Sequence, residues 1–447
     1  MATIIPPPKA QFFNTDGSPL SGGKVYTYEA GTTTPLATYT DSSGLVQNTN
    51  PVILDSRGEA SIWVNADLYK FTLKTSADVE LWTVDNLNGP STIFSGSTGS
   101  SLNGYSNAGV GAVTRTVQAR LRDFTSVKDF GAVGDGNTDD TNAIQAALDA
   151  VNALPYGGTV YFPPGQYKIT TTIELRQNVN VIGAGGSEAV IYAYACNAFN
   201  FGYTQDFGDA MVQEIGIHGV NCTTQKGISQ TQQASLATQL YNVIISDVLI
   251  TGFNVGIQFN TVHFVRIQNC WIQDVNSGIK LVGLCLVVDI QNTGIVYAAG
   301  CGTGTQYAIL CDGYTYLSGE YGRPESVRVS NTSIYGFSYG FYIEQCIYTI
   351  MQSSDIQCTI EGVTMGTAIA TTVIRDNYIE VAGATGSQGI RVKPSSVDIN
   401  AKMIIEGNYI SAYNPPAGTV GVYVGTPAVG NNNNIRIVGN RIDNFTL

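Results

Sequence analysis

The chain reads as an all-β protein built on a parallel β-helix, with a capping helix and a small β domain ahead of it. Two repeated phrases and the composition predict this. Eight hexads, each an aliphatic residue, four mostly polar or small residues and a second aliphatic, run as Ile245/Ile250, Ile267/Ile272, Ile290/Ile295, Val329/Ile334, Met351/Ile356, Ile374/Ile379, Ile405/Ile410 and Ile437/Ile442. Their starts lie 22, 23, 39, 22, 23, 31 and 32 residues apart, a floor that insertions only lengthen, which marks a solenoid. Seven hexads are followed by a small residue and two apolar residues one apart, from Gly256-Ile257-Gln258-Phe259 to Gly421-Val422-Tyr423-Val424. That alternation predicts half-buried strands, two or three to a coil. Charged residues make up only 13% of a chain holding 50 Gly, which suits short strands joined by tight turns.

A net charge of −12 argues against nucleic acid or an anionic membrane as partner. The eight Cys show no metal-type spacing, and several, such as Cys311, fall at inward strand positions. They are expected to be reduced core residues of a chain folded in a cytoplasm, with no metal and no cofactor. The amino end lacks a basic region followed by an apolar run, and no stretch reaches about 18 apolar residues. The expectation is a chain neither exported by a signal peptide nor inserted in a membrane.

Residues 1–88 are expected to form a compact β domain. Strand-like runs at Lys24–Tyr28, Ala60–Val64 and Tyr69–Leu73 are set off by Asp-Gly, Gly-Gly and Arg-Gly turn signals. Residues 89–125 read as linker and neck: Gly, Ser and Asn dominate up to 112, and Thr116–Arg122 is a short amphipathic segment. The solenoid, 126–447, opens with Ser126–Thr141. A helix is then predicted through Ala150, capped within Asp139–Thr141, with Ile144, Ala147, Leu148 and Val151 as its apolar stripe. A β-helix needs such a cover, because its first coil otherwise exposes core and strand edges. Five residues follow the last hexad, so the closing coil is expected to lack its second strand and a terminal cap.

The run Val127–Gly136, the Asp139-Asp140-Thr141 helix start and Gly158-Thr159-Val160-Tyr161-Phe162-Pro163-Pro164-Gly165 resemble the opening of the pectate-lyase-like right-handed β-helix superfamily, in particular bacteriophage tailspikes. With the coils, this resemblance covers roughly residues 126 to 447. More loosely, Gly22–Tyr28, Asn50–Asp55, Gly58–Ala60 and Leu81–Asp85 are similar to the amino-terminal particle-binding domains of short-tailed phage tailspikes. The resemblance implies a homotrimeric virion spike assembled in the host cytoplasm. Residues 1–88 would hold phage tail or portal-associated proteins, and the β-helix would bind and degrade bacterial capsule or lipopolysaccharide at the cell surface.

Equivalent positions in successive coils should lie about 4.8 Å apart. With Cys311 and Ile343 inward, Asp312 and Glu344 become vertical neighbours, with Lys280 and Tyr342 on the same face. Glycoside hydrolysis needs two such carboxylates, one protonated as acid and one ionised as nucleophile or base. Close like charges raise one pKa and create that asymmetry. The long insertion beginning at Asp312 brings Tyr314, Tyr316, Glu320, Tyr321 and Arg323, a predicted wall for a glycan groove, since tyrosine rings stack on sugar faces. The bland reading makes Asp312 a turn residue and Glu344 a solvated strand end. A second carboxylate set, Asp355, Glu361, Asp376 and Glu380, is not expected to stack, since the hexads place Glu380 opposite Gln357 and Asp376 opposite Ser353. The outward column Ile350, Val373 and Ile404 suggests a subunit interface. Asn431 to Asn434 read as a coil turn or an Asn ladder. The rival function is a non-catalytic tail fibre or adaptor that uses the β-helix as a rigid rod; a third reading, a secreted pectin-degrading enzyme, is opposed by the absent signal peptide.

Overall fold

A computed structural model describes residues 9–445 apart from 42, 65–67, 89–98, 203–209, 232–238, 303, 383–384, 394–401, 416 and 426–433. The Gly/Ser-rich stretch 89–98 and Asn431 to Asn433 therefore lie outside the described residues. The chain divides into two compact units, Met1–Asp123 and Phe124–Leu447.

In the first unit the strands Lys24–Glu29, Leu68–Lys74 and Glu80–Asn88 form an antiparallel sheet, with Val52–Ile53 along its outer edge. Leu20, Val25, Val52, Leu54 and Leu73 close a small core beneath it. The amphipathic segment before the solenoid is a single short helix, Val117–Leu121, started by the Thr116 hydroxyl accepting from the Ala119 amide at 3.0 Å.

The second unit is one continuous parallel stack, and its register follows the two phrases. Ile245 pairs in turn with Ile267, Ile290, Val329, Met351, Ile374, Ile405 and Ile437. Ile250 heads an equal column through Ile272, Ile295, Ile334, Ile356, Ile379, Ile410 and Ile442. The second-strand column runs Ile257, Ile279, Ile309, Phe341, Val363, Ile390 and Val422. Coils are thus superposed residue by residue, giving the parallel β-helix that the spacing predicts.

Each hexad proves to be a corner rather than a strand. Its third residue takes the left-handed conformation at all eight sites: Asp247, Asn269, Asn292, Asn331, Ser353 and Asp376, then Gly407 and Gly439, with φ between 50° and 68°. Asn, Asp and Gly tolerate that geometry, which explains the small polar middle of the hexad. The fourth residue turns inward. From Thr332 on, it builds a buried polar ladder in which the Ser354 amide donates to Asn377 Oδ1 (3.0 Å), the Asn377 amide to Asn408 Oδ1 (3.0 Å) and the Asn408 amide to Asn440 Oδ1 (2.9 Å).

The predicted helix spans Thr141–Asn152, and Ile144, Ala147, Leu148 and Val151 sit fully or almost fully buried in the core of the first coils. Asp139 Oδ1 accepts from the Thr141 amide (3.1 Å), whereas Asp140 turns back to take the Val133 and Gly134 amides at 2.7 and 3.0 Å. The same acidic pair therefore starts the helix and pins the turn before it.

Candidate functional site

The second strands of five consecutive coils, within Ser277–Gln291, Tyr307–Asp312, Tyr339–Gln352, Glu361–Ile369 and Gln388–Val392, supply one continuous outward face. Alternation points Ile279, Ile309, Phe341, Val363 and Ile390 inward, all with no exposed surface. The residues one further along form the outward column Gln258, Lys280, Leu310, Tyr342, Thr364, Arg391 and Tyr423.

At the end of these strands Cys311 pairs with Ile343, which sets Asp312 beside Glu344. Asp312 is half-buried, and its Oδ1 accepts from the Gly313 amide at 2.8 Å. Burial holds its carboxyl above the usual aspartate range, and the Glu344 charge adds to the rise; the Gly313 amide and the Lys393 ammonium oppose it. Glu344 is ion-paired to Lys393 at 2.7 Å, with both side chains about one-quarter exposed or less. The Lys393 ammonium also donates to the Tyr342 hydroxyl and lies 4.4 Å from the centre of its ring. Burial and the Glu344 charge push the Tyr342 phenol upward, so it stays protonated.

Lys393 reaches Glu344 across a whole coil. Its amide donates to Met365, which pairs with Ile343, so Gly366 stands between the two charges. A β-carbon on Gly366 would come 2.5 Å from Glu344 Cα, so the missing side chain is what brings the coils together and opens the way. One coil on, Glu361 is 3% exposed, pairs with Arg391 at 2.6 Å and accepts from the Thr364 hydroxyl. Tyr307, Tyr339 and Tyr342 cluster with ring centres 4.9 to 5.3 Å apart, making an aromatic floor beside these carboxylates.

The insertion after Asp312 folds back as a small antiparallel ribbon, Tyr314–Thr315 against Tyr321–Gly322. Tyr314 is half-buried, Tyr321 is 47% exposed and Glu320 is exposed, accepting from the Ser318 hydroxyl at 2.8 Å. Arg323 is half-buried, and its charge opposes the upward push that burial, and then Asp312, give the Tyr321 phenol. Tyr316 corrects the expectation of a glycan-facing ring. It is 2% exposed; its hydroxyl donates to the Asn260 carbonyl (2.8 Å), accepts from the Leu284 amide (2.9 Å) and lies 2.9 Å from Thr261 Oγ1. Tyr316 anchors the loop instead of lining a groove, because the loop's own turn sends its ring back onto the coils.

Residues 124–207 match the sequence profile of the rhamnogalacturonase A/epimerase, pectate lyase-like family. The tail spike protein of Shigella phage Sf6 is 24% identical over 261 residues, 56% of this chain and 42% of that protein. Mannuronan C5-epimerase AlgE1 of Azotobacter vinelandii is 51% identical over 73 residues, 15% of this chain and 5% of the enzyme. Among solved structures, the tailspike of E. coli bacteriophage HK620, in complex with a pentasaccharide, superposes with a TM-score of 0.61 at 12% identity over 79% of this chain and 72% of its own. The second unit shares the parallel β-helix fold of that solved tailspike. The chain spans less than half the length of the curated relatives it matches.

Reasoning from sequence missed Lys393, Tyr307, Tyr339 and the Glu361–Arg391 pair. Arg391, Tyr307 and Tyr339 were within reach by extending the register, since Thr364 pairs with Arg391 and Tyr307 with Tyr339. Lys393 was not, because its contact skips a coil. The second carboxylate set stays dispersed: Glu380 pairs with Gln357, as the hexads predict, and accepts from the Tyr378 hydroxyl at 2.8 Å.

Proposed function

We propose that this chain is part of a phage tailspike that binds bacterial surface polysaccharide along the outward face of its second strands and cleaves it with Asp312 and Glu344. The observation that carries the reading is the pairing of those two carboxylates, in unlike surroundings, beside the Tyr307, Tyr339 and Tyr342 rings. Asp312, whose carboxyl is raised above the usual aspartate range by burial and by the neighbouring Glu344 charge, acts as general acid on the glycosidic oxygen. Glu344, paired with Lys393, serves as the ionised partner that attacks the sugar or activates water. Tyr314, Tyr321, Tyr342, Glu320, Arg323 and Lys280 are the sugar contacts. The similarity to two tailspikes, one solved with a bound pentasaccharide, supports this assignment.

The same reading makes the particle a homotrimer, held to tail or portal-associated proteins by residues 1–88 and assembled in the host cytoplasm before it acts at the cell surface. The outward positions Ile350, Val373 and Ile404, each half-buried in the single chain, are the subunit contact. The test is to incubate the purified protein with capsule and O-antigen from a bacterial panel and to size the products. Shortening by the parent chain that is lost in Asp312→Asn and Glu344→Gln upholds the reading. Unchanged cleavage in both variants moves the site elsewhere, and no cleavage of any glycan favours the rigid rod.

A further inference from the structure

Among the described residues, Lys226 and Lys280 are two amines with nothing to hold. Lys226 pairs with Val255, and Val255 with Ser277 on the coil of Lys280, so the two lysines stand two coils apart, Lys226 in the column that leads to Ser277. Both are half-buried, and among the described residues neither ammonium meets a carboxylate or makes a side-chain hydrogen bond. The other half-buried cations of the second-strand face are spoken for: Lys393 holds Glu344 and Arg391 holds Glu361. The carboxylate in the Lys280 column, Glu174, lies four coils away through Gln258, Ser229 and Asn200, and it is taken up by Asn200 Nδ2 at 2.9 Å. Ser277, beside Lys280, buries a hydroxyl that has no hydrogen-bond partner among the described residues.

A partly buried charge without a counter-ion is costly, and two that repel one another are costlier. Burial places both amines below the ordinary lysine range, and the charge of Lys226 reaches Lys280. The stems alone would pack equally well as methionine. What the heads lack is an anion.

We infer that Lys226 and Lys280 together receive an anionic group of the bound glycan, a carboxylate or phosphate on the sugar chain, so that the polysaccharide recognised is an acidic one. This rests on the glycan-binding reading and names its substrate class. The acidic substituent is bound one to four coils from the Asp312–Glu344 pair, at the height of Lys226 and Lys280, which leaves the scissile linkage free at the carboxylates.

The experiment is residue-resolved amine labelling of the whole chain with trinitrobenzenesulfonate, read by peptide mass spectrometry. The probes are sodium glucuronate, inorganic phosphate and glucose, each at about 10 mM and low ionic strength. Glucuronate or phosphate should slow labelling at Lys226 and Lys280 by about threefold, as two-thirds occupancy at a Kd of about 5 mM requires, with no change at the exposed Lys402 and none with glucose. In Lys226→Met, protection at Lys280 should fall, and the reverse in Lys280→Met. Labelling unaffected by either anion, or slowed equally by glucose, overturns the inference. If the polysaccharide cleaved in the panel is neutral, the acidic assignment fails while the glycan-binding reading stands; if no glycan is bound but the anions still protect, the underlying reading fails instead.

Discussion

Asn408 is the residue on which the corner ladder can be tested most directly. Its Oδ1 accepts from the Asn377 amide (3.0 Å) and from Asn377 Nδ2 (2.9 Å), while its Nδ2 donates to the Ile374 carbonyl and to Asn440 Oδ1, both at 2.9 Å. Asn408→Ala removes all four contacts but leaves the partners unequally stranded. Asn377 Nδ2 keeps the Met351 carbonyl at 3.2 Å, and Asn440 Oδ1 keeps the Asn408 amide at 2.9 Å. The Asn377 backbone amide alone loses its acceptor outright, in a residue 2% exposed. A stranded buried donor costs about 1–3 kcal/mol and each weakened contact about 0.5–1 kcal/mol more, so a loss of about 3 kcal/mol is expected. Because a solenoid opens locally rather than all at once, the assay is hydrogen exchange resolved to peptides. The Asn377 amide should exchange about 10- to 100-fold faster, with the amides of Val160 to Ile169 unchanged. Protection that is undiminished at Asn377, or lost equally in the first coils, would refute the ladder as a local device.

The Asp312 carboxyl is held above its ordinary range in the folded chain, so its contribution to stability is complete below about pH 3.9 and is lost as pH rises through the folded value. Asp312→Asn should therefore melt about 1 °C higher than the parent at pH 7 and show no such advantage at pH 3, in thermal scans at both pH values. Lys393 lowers the Asp312 carboxyl, so Lys393→Met should move the basic limb of the cleavage profile to higher pH, measured as reducing ends released. Gly366→Val drives a side chain against the Glu344 backbone, 2.5 Å from its Cα, and should cost about 1–3 kcal/mol by thermal unfolding. Tyr316→Phe removes the hydroxyl bonded to Asn260 and Leu284, and limited proteolysis should then cut at Leu317–Glu320 several times faster, with the coils intact.

Much of this protein was legible one residue at a time. A strand reverses its side chain at every step, and a coil of fixed length brings the same step back to the same place. Spacing alone therefore predicted that Ile245, Ile267 and Ile290 share a column and that Asp312 stands beside Glu344. The helix Thr141–Asn152 was equally plain, because its apolar stripe and acidic start are local features. The meaning of the hexad needed backbone angles: its polar middle is a left-handed corner, which composition suggests but does not distinguish from any other turn.

Tertiary structure alone decided where long side chains and loops go. Lys393 finds Glu344 by crossing the gap left at Gly366, and Tyr316 returns its hydroxyl to Asn260 from fifty-odd residues away. Neither follows a period. Periodicity specifies positions relative to the coil, whereas a flexible stem or an inserted loop has a reach of several coils and settles on whichever buried donor or charge is left unsatisfied.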